Sequence, residues 1–116
     1  MTEESCIFCR IIARDIPAQI VDESDEWLAF RDIHPVAPIH VLVVPKKHLG
    51  SVEDLTTEDV GMVGRLIMVA KQIARTEGIS ESGYRILVNS GRDAGQLVRH
   101  LHFHLIGGRK MGPKVG

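Results

Sequence analysis

The sequence predicts an α+β fold: a mainly antiparallel five-stranded sheet with one short N-terminal helix and one long helix. Three observations predict it: five short apolar or β-branched runs, a polar break at Ser24-Asp25 between the first two, and a single segment with sustained three-to-four spacing of apolar residues. Residues 6–14 place Ile7, Phe8, Ile11 and Ile12 at helical spacing, and Ile16-Pro17 ends the helix because proline has no N–H for the ladder. Ile20 to Glu23 and Trp27 to Arg31 flank Ser24-Asp25 and form a hairpin. Pro35 and Pro38 keep residues 32–38 irregular and deliver His40 to the third strand. Residues 40–45 are β-branched and almost continuously apolar, the mark of a strand buried on both faces. Thr56-Thr57-Glu58-Asp59 opens the long helix, Val60, Val63, Ile67, Ala70, Ile73 and Ala74 form its apolar stripe, and Gly78 stops it. Tyr84 to Val88 is the fourth strand, residues 89–96 a polar loop with two glycines, and residues 100–106 the fifth strand.

A chain of 116 residues fits one domain, residues 1–116, too small for a separate cofactor domain. Hydrophobic residues make up 44% and charged residues 25%, values that exclude a disordered or fibrous chain. The formal charge of −1 gives no long-range attraction to nucleic acid or to an anionic membrane, so neither is expected as a partner. The start, Met1 to Ser5, is polar and acidic, and no apolar run has the length of a signal or spanning segment, which predicts a cytoplasmic protein. Residues 109–116 have too little apolar content to fold alone.

Chemistry concentrates in His100-Leu101-His102-Phe103-His104-Leu105-Ile106. Strand alternation predicts the three imidazoles on one face and Leu101, Phe103 and Leu105 on the other. A single strand histidine is most often an ordinary half-exposed residue, but three in register describe a site. Two forms of chemistry fit: a tri-histidine metal, or a nucleophilic imidazole with neighbours that orient it and neutralise an anion. Residues about 7 Å apart along one strand face cannot all bind one ion without a ligand from elsewhere. A nucleophile needs one free nitrogen lone pair and donors nearby, and His102, flanked on both sides, suits that role. The glycine-bearing loop before it can offer backbone N–H groups to a phosphate.

The chain resembles the histidine triad (HIT) family, in particular its Hint branch of purine nucleotide-binding phosphoramidases. The His-x-His-x-His run carries that resemblance together with Ile7-Phe8, Ile11-Ile12, Ala29-Phe30-Arg31-Asp32-Ile33, Ala37-Pro38-Ile39-His40, Pro45-Lys46-Lys47-His48, Val88-Asn89 and Gly95-Gln96, all in the family's order. It implies that His102 attacks the α-phosphorus of a purine nucleoside phosphoramidate and expels an amine. Water then releases the nucleoside monophosphate from the covalent intermediate. By the same resemblance His104 contacts a phosphate oxygen, His40 lies behind His102 as an orienting or proton-relaying partner, and Asp32 binds the ribose hydroxyls. Phe8, Ile11, Phe30 and Ile33 would wall the purine, and Asn89 with the Gly95-Gln96-Leu97 backbone would complete the ribose and phosphate sites. On pattern alone Phe8, Ile11 and Phe30 are core positions, and Asp32 and Asn89 are turn residues. Leu97 replaces the small hydroxyl residue of many Hint-like members, so only its backbone can serve the phosphate. The tail also lacks the tryptophan of animal relatives, so no leaving-group preference is implied.

Cys6-x-x-Cys9 is a redox pair, a metal half-site, or two buried thiols, although no preceding strand supports a thioredoxin-like unit. His48 and His100 resemble the remaining zinc ligands of CxxC-bearing members of the superfamily, which would make a closed, structural Cys2His2 site. No organic cofactor is expected. The family implies a homodimer formed through the long helix and the sheet edge, and the apolar content of the fourth strand and residues 60–74 agrees with it. Three other activities stay open: a nucleotide-binding module with vestigial hydrolysis, a tri-histidine metal hydrolase, and a dinucleoside polyphosphate hydrolase.

Overall fold

A computed structural model describes residues 5–114, so the expectations for Met1 to Glu4 and for residues 115–116 lie outside the described residues. In chain order the elements are α1 (Ile7–Ile12), β1 (Ile20–Glu23), β2 (Trp27–Arg31), β3 (Ile39–Pro45), α2 (Val60–Thr76), β4 (Tyr84–Val88) and β5 (Phe103–Gly107). All sheet neighbours are antiparallel, in the order β1-β2-β3-β5-β4, which is the α+β architecture predicted from the sequence. No helix among the described residues is long and apolar enough to cross a membrane.

The central strand β3 explains the layering. Val41 and Val43 join Leu101, Phe103 and Leu105 against Leu66, Val69, Ala70 and Ile73 of α2, while Leu42 and Val44 join Leu28 and Phe30 against Phe8 and Ile11 of α1 and its N-cap Cys6. Each fully buried aliphatic side chain contributes roughly 1.5–3 kcal/mol. That contribution matters most for α1, whose six residues would not stay helical in water without the burial of Phe8 and Ile11.

Local signals behave unevenly. The entry to α2 is as the sequence predicts: Thr56 caps a 3₁₀ turn over Thr57–Asp59, its hydroxyl accepting from Glu58 N–H at 3.3 Å and Asp59 Oδ2 accepting from Thr56 N–H at 2.9 Å. A second capped 3₁₀ turn at Val52–Asp54 was not foreseen. The stop at Gly78 is a Schellman motif, with φ +78°, Gly78 N–H donating to Arg75 and Ile79 N–H to Ala74.

Three expectations need correction. Helix α1 ends before Ile16-Pro17, in a Schellman turn with Arg14 itself at φ +67°, where Arg14 N–H donates to Ile11 and Asp15 N–H to Arg10. The buried face of α2 is Met62, Leu66, Val69, Ala70, Ile73 and Ala74, whereas Val60 and Ile67 are 68% and 42% exposed. Strand β5 begins at Phe103 and not at His100, because Leu101 N–H turns to the Leu49 carbonyl at 2.6 Å and the ladders to β3 and β4 start at Phe103. Side-chain alternation nevertheless persists, so Leu101, Phe103 and Leu105 share the α2 side.

Candidate active site

On the sheet face toward α1, β3 supplies His40 and β5 supplies His104. Leu42 pairs with His104, which makes His40 the diagonal neighbour of His104 across the ladder. His102 precedes β5 and sits beside Phe8, with ring centroids 5.1 Å apart and planes nearly perpendicular. The rings of His102 and His104 are 5.0 Å apart. His100 has left this group and turned toward the cysteines, so the predicted row of three divides.

Hydrogen bonds fix the protons of the remaining imidazoles. The Nδ1–H of His102 donates to the His100 carbonyl at 2.6 Å, and this leaves the Nε2 lone pair free. Val36 N–H donates to His40 Nδ1 at 3.2 Å, so a neutral His40 carries its proton on Nε2. That N–H faces His104 Nδ1 at 2.9 Å and Asp32 Oδ2 at 3.4 Å. His104 Nδ1 is therefore an acceptor and its Nε2 carries the proton. Nε2 of His104 is buried and has no hydrogen-bond partner. A buried, unsatisfied donor costs about 1–3 kcal/mol, an outlay that an anionic oxygen in the site would remove.

Burial holds all three rings neutral. His104 is pushed down to about 4 by burial and then by the neighbouring His102 and His40, with the Asp32 charge opposing. Burial also lowers His102, against the hydrogen bond to His100 and the charge of Asp32. It lowers His40 against Asp32 alone. The site at neutral pH therefore contains an unprotonated nucleophile candidate and an oriented, uncharged N–H donor.

Asp32, His40 and His104 also lie close enough to hold a cation. Their wiring opposes it: His40 Nε2 would have to give up its proton, and the Nδ1–H so created would confront Val36 N–H. The cluster is built around protons.

Cys6, Cys9, His48 and His100 have the opposite wiring and are positioned to hold a metal ion. The Nε2–H of His100 donates to the Pro45 carbonyl at 2.8 Å, which turns the Nδ1 lone pair inward. That Nδ1 lies 3.3 Å from Cys6 Sγ, 3.5 Å from Cys9 Sγ and 3.2 Å from His48 Nδ1, while Cys9 Sγ and His48 Nδ1 are 3.2 Å apart. Tetrahedral ligands about 2.0–2.3 Å from a zinc ion are about 3.3–3.8 Å from each other, so the donor set fits. Burial lowers His100 to about 4, which keeps the ring available as a ligand.

The other predicted residues divide. Phe8, Ile11 and Phe30 are buried core side chains, with Phe8 and Phe30 edge to face at 5.4 Å, whereas Ile33 is 82% exposed. Asp32 does form the turn that its position suggests, accepting from His34 N–H at 2.8 Å through Oδ1, but its Oδ2 faces His40. Asn89 follows the end of β4 and is half-buried. Gly95 sits at φ +85°, and its N–H and that of Gln96 are committed to the carbonyls of Arg92 and Gly91. The Gln96 side chain is also occupied: Oε1 accepts from Gly91 N–H, and Nε2 donates to the Gly50 and Val98 carbonyls. Of the three backbone donors expected for a phosphate, the N–H of Leu97 is the one with no partner among the described residues. The Leu97 side chain is 92% exposed. Val36, whose N–H sets the His40 tautomer, was missed by the sequence reading, and no residue-type signal marks a backbone donor.

Fold and site together define a small α+β protein with a neutral, proton-ordered imidazole cluster beside a closed Cys2His2 ligand set. Comparison with known proteins places it. The HIT domain matches residues 13–111, and the chain belongs to the HIT family. It is 49% identical over 115 residues to the purine nucleoside phosphoramidase of Escherichia coli strain K12, covering 99% of this chain and 96% of that protein. A HIT family hydrolase from Clostridium thermocellum superposes with a TM-score of 0.95 at 43% identity, covering 98% of this chain and 99% of the other. A histidine triad protein from Clostridium difficile gives 0.94 at 42% identity, covering 99% and 100%. Cys6, Phe8, Cys9 and Ile11 precede the HIT match, so their placement rests on the geometry of this chain.

Two outcomes follow from this geometry. Zinc titration of the metal-free protein should saturate at about one ion per chain and raise the melting temperature, as for any ligand that binds only the folded state. Cys9→Ala should lose both effects, and a wild-type response from it would dismiss the ligand set. His40 and His104 are buried neutral, whereas in the unfolded chain they protonate near about 6.5. Their contribution to stability is therefore complete above that pH and is lost as pH falls toward about 4 for His104. Urea midpoints of metal-free protein should fall on acidification through this window, and fall less steeply in His104→Gln.

Proposed function

We propose that this protein is a purine nucleoside phosphoramidase that hydrolyses a phosphorus–nitrogen bond and releases a nucleoside monophosphate. The observation that supports this most directly is the pairing of a free His102 Nε2 lone pair, its proton held on Nδ1 by the His100 carbonyl, with the unpartnered Nε2–H of neighbouring His104. The 49% identity to a protein named for that activity supports the substrate class.

Nε2 of His102 attacks the α-phosphorus and forms a nucleotidyl-imidazole bond, while the phosphorus–nitrogen bond breaks and its electron pair leaves with the amine, which takes up a proton. Water then attacks the same phosphorus, the nitrogen lone pair returns to His102, and a proton is released, so the balance is one water consumed. His104 donates to the phosphoryl oxygen on which charge builds, and the His40 Nε2–H on its Nδ1 keeps that proton on Nε2. His40 maintains that arrangement. Asp32 binds the ribose, Phe8, Ile11, Phe30 and Ile33 border the purine, and Asn89 with the Leu97 N–H and the Gly95-Gln96 turn completes the site.

The Cys6, Cys9, His48 and His100 set binds zinc. With four protein ligands the set would leave a bound ion no open position, so zinc would supply structure and not Lewis-acid chemistry. The protein acts as a soluble cytoplasmic homodimer of single HIT domains. Support for the dimer comes from β4, an edge strand half-buried along its whole length, and from Val60 and Ile67, apolar and exposed on α2.

His102→Ala should lower turnover of adenosine 5′-phosphoramidate by at least about a thousandfold, the scale on which loss of a nucleophile is felt. Affinity for adenosine monophosphate should change by no more than about threefold, since one neutral contact is removed. Ammonia release and calorimetric binding measure the two. Undiminished turnover would refute the assignment, and a wild-type protein that binds the nucleotide without turnover would make it a binding module.

A further inference from the structure

Immediately after β5 the chain turns back onto the irregular segment that carries Asp32. Gly108 has φ +90°, and a side chain there would begin 3.0 Å from Cβ of Pro38, so the two segments approach as closely as a glycine permits. Arg109 then reaches across. Its Nε and Nη2 both donate to the Val36 carbonyl, at 3.2 and 3.1 Å, and its Nη1 donates to the Lys110 carbonyl at 3.3 Å. Val36 thus has both backbone groups tied, the carbonyl to Arg109 and the N–H to His40 Nδ1. The base of the segment is closed separately, by Asp32 N–H on the His40 carbonyl at 3.0 Å and by His34 N–H on Asp32 Oδ1.

We propose that Arg109 is a positioning residue: by clamping the Val36 carbonyl it keeps Val36 N–H on His40 Nδ1, and so selects the tautomer in which His104 presents Nε2–H. The inference rests on the phosphoramidase reading only for its kinetic consequence. The Val36 carbonyl and N–H lie in adjacent peptide planes that meet at the Val36 Cα. Removing the clamp therefore frees the 36–37 plane and, through that Cα, loosens the 35–36 plane whose N–H faces His40 Nδ1, and His40 gains access to the tautomer with its proton on Nδ1. His40 Nε2 is then an acceptor, and His104 answers by placing its own proton on Nδ1. The ring so switched turns a lone pair where the phosphoryl oxygen needs a donor. His102 is not part of this relay, because its proton is held independently by the His100 carbonyl.

The test is long-range proton–nitrogen correlation spectroscopy of the imidazoles in zinc-loaded wild type, Arg109→Ala and Arg109→Lys, with no substrate present. Wild type should show His40 and His104 each protonated at Nε2 and bare at Nδ1. Arg109→Ala should show averaged nitrogen shifts at His40 and His104 with His102 unchanged, and Arg109→Lys, which retains one donor, should return part of the wild-type pattern. With adenosine 5′-phosphoramidate, kcat should fall about tenfold in Arg109→Ala while KM stays within about twofold, as for one donor that matters more in the transition state than in the ground state. A wild-type nitrogen pattern in Arg109→Ala would overturn the proposal whatever the activity. So would an equal disturbance of His102 accompanied by a lowered melting temperature, which would make Arg109 a general structural tie. A rise in KM alone would instead assign the guanidinium to substrate binding. Absence of turnover in the wild type would refute the phosphoramidase reading and leave the tautomer result standing.

Discussion

The short hydrogen bond from His102 Nδ1 to the carbonyl two residues earlier is the constraint on which the rest of the site depends. It sits where the chain is still outside the sheet, since Leu101 N–H bonds to the Leu49 carbonyl and the ladders to β3 and β4 begin at Phe103. It leaves the His102 lone pair on Nε2. It also ties the chemistry to His100, whose side chain belongs to a different cluster, with its Nδ1 among the cysteines and its Nε2 on Pro45. One residue therefore joins the cysteine cluster with its imidazole and orients the His102 ring with its backbone.

Four of the six histidines fall into three kinds, and the hydrogen bonds on their ring nitrogens separate them. Where a carbonyl takes the Nε2 proton, as at His100, the Nδ1 lone pair is turned toward the cysteines. Where a carbonyl takes the Nδ1 proton, as at His102, the other nitrogen keeps a lone pair available for attack. Where a backbone N–H occupies Nδ1, as at His40, the ring becomes a donor and passes that orientation to His104. Burial makes the scheme hold near neutral pH, since a charged ring would carry protons on both nitrogens and lose the distinction.

Much of this was legible in the sequence because it rests on local rules. The helix entry at Thr56 and Asp59, the stop at Gly78, the hairpin about Ser24 and the doubly buried β3 all follow from residue type and spacing. Alternation at residues 101–105 correctly separated the core side chains from the imidazoles. What escaped depends on the backbone. Arg14 holds a left-handed conformation that its identity does not advertise, and β5 starts late because Leu101 bonds to a loop. Val60 and Ile67 continue the apolar stripe of α2 but face away from the sheet, since a helix with apolar residues on more than one face does not declare which one is buried in the same chain. Gln96 was expected to serve the phosphate through its backbone, and only the folded loop reveals that its N–H and its side chain are already engaged.

The central claim is that the protein attacks phosphorus through one particular nitrogen, Nε2 of His102. Rapid quenching of the enzyme with a nitrogen-labelled histidine and an adenosine 5′-phosphoramidate, followed by peptide mapping and phosphorus–nitrogen coupling measurements, tests it directly. The account predicts a nucleotidyl group on His102, bonded to Nε2, that forms and decays at rates compatible with turnover. An adduct on Nδ1, on another residue, or a burst with no covalent species at all would contradict it.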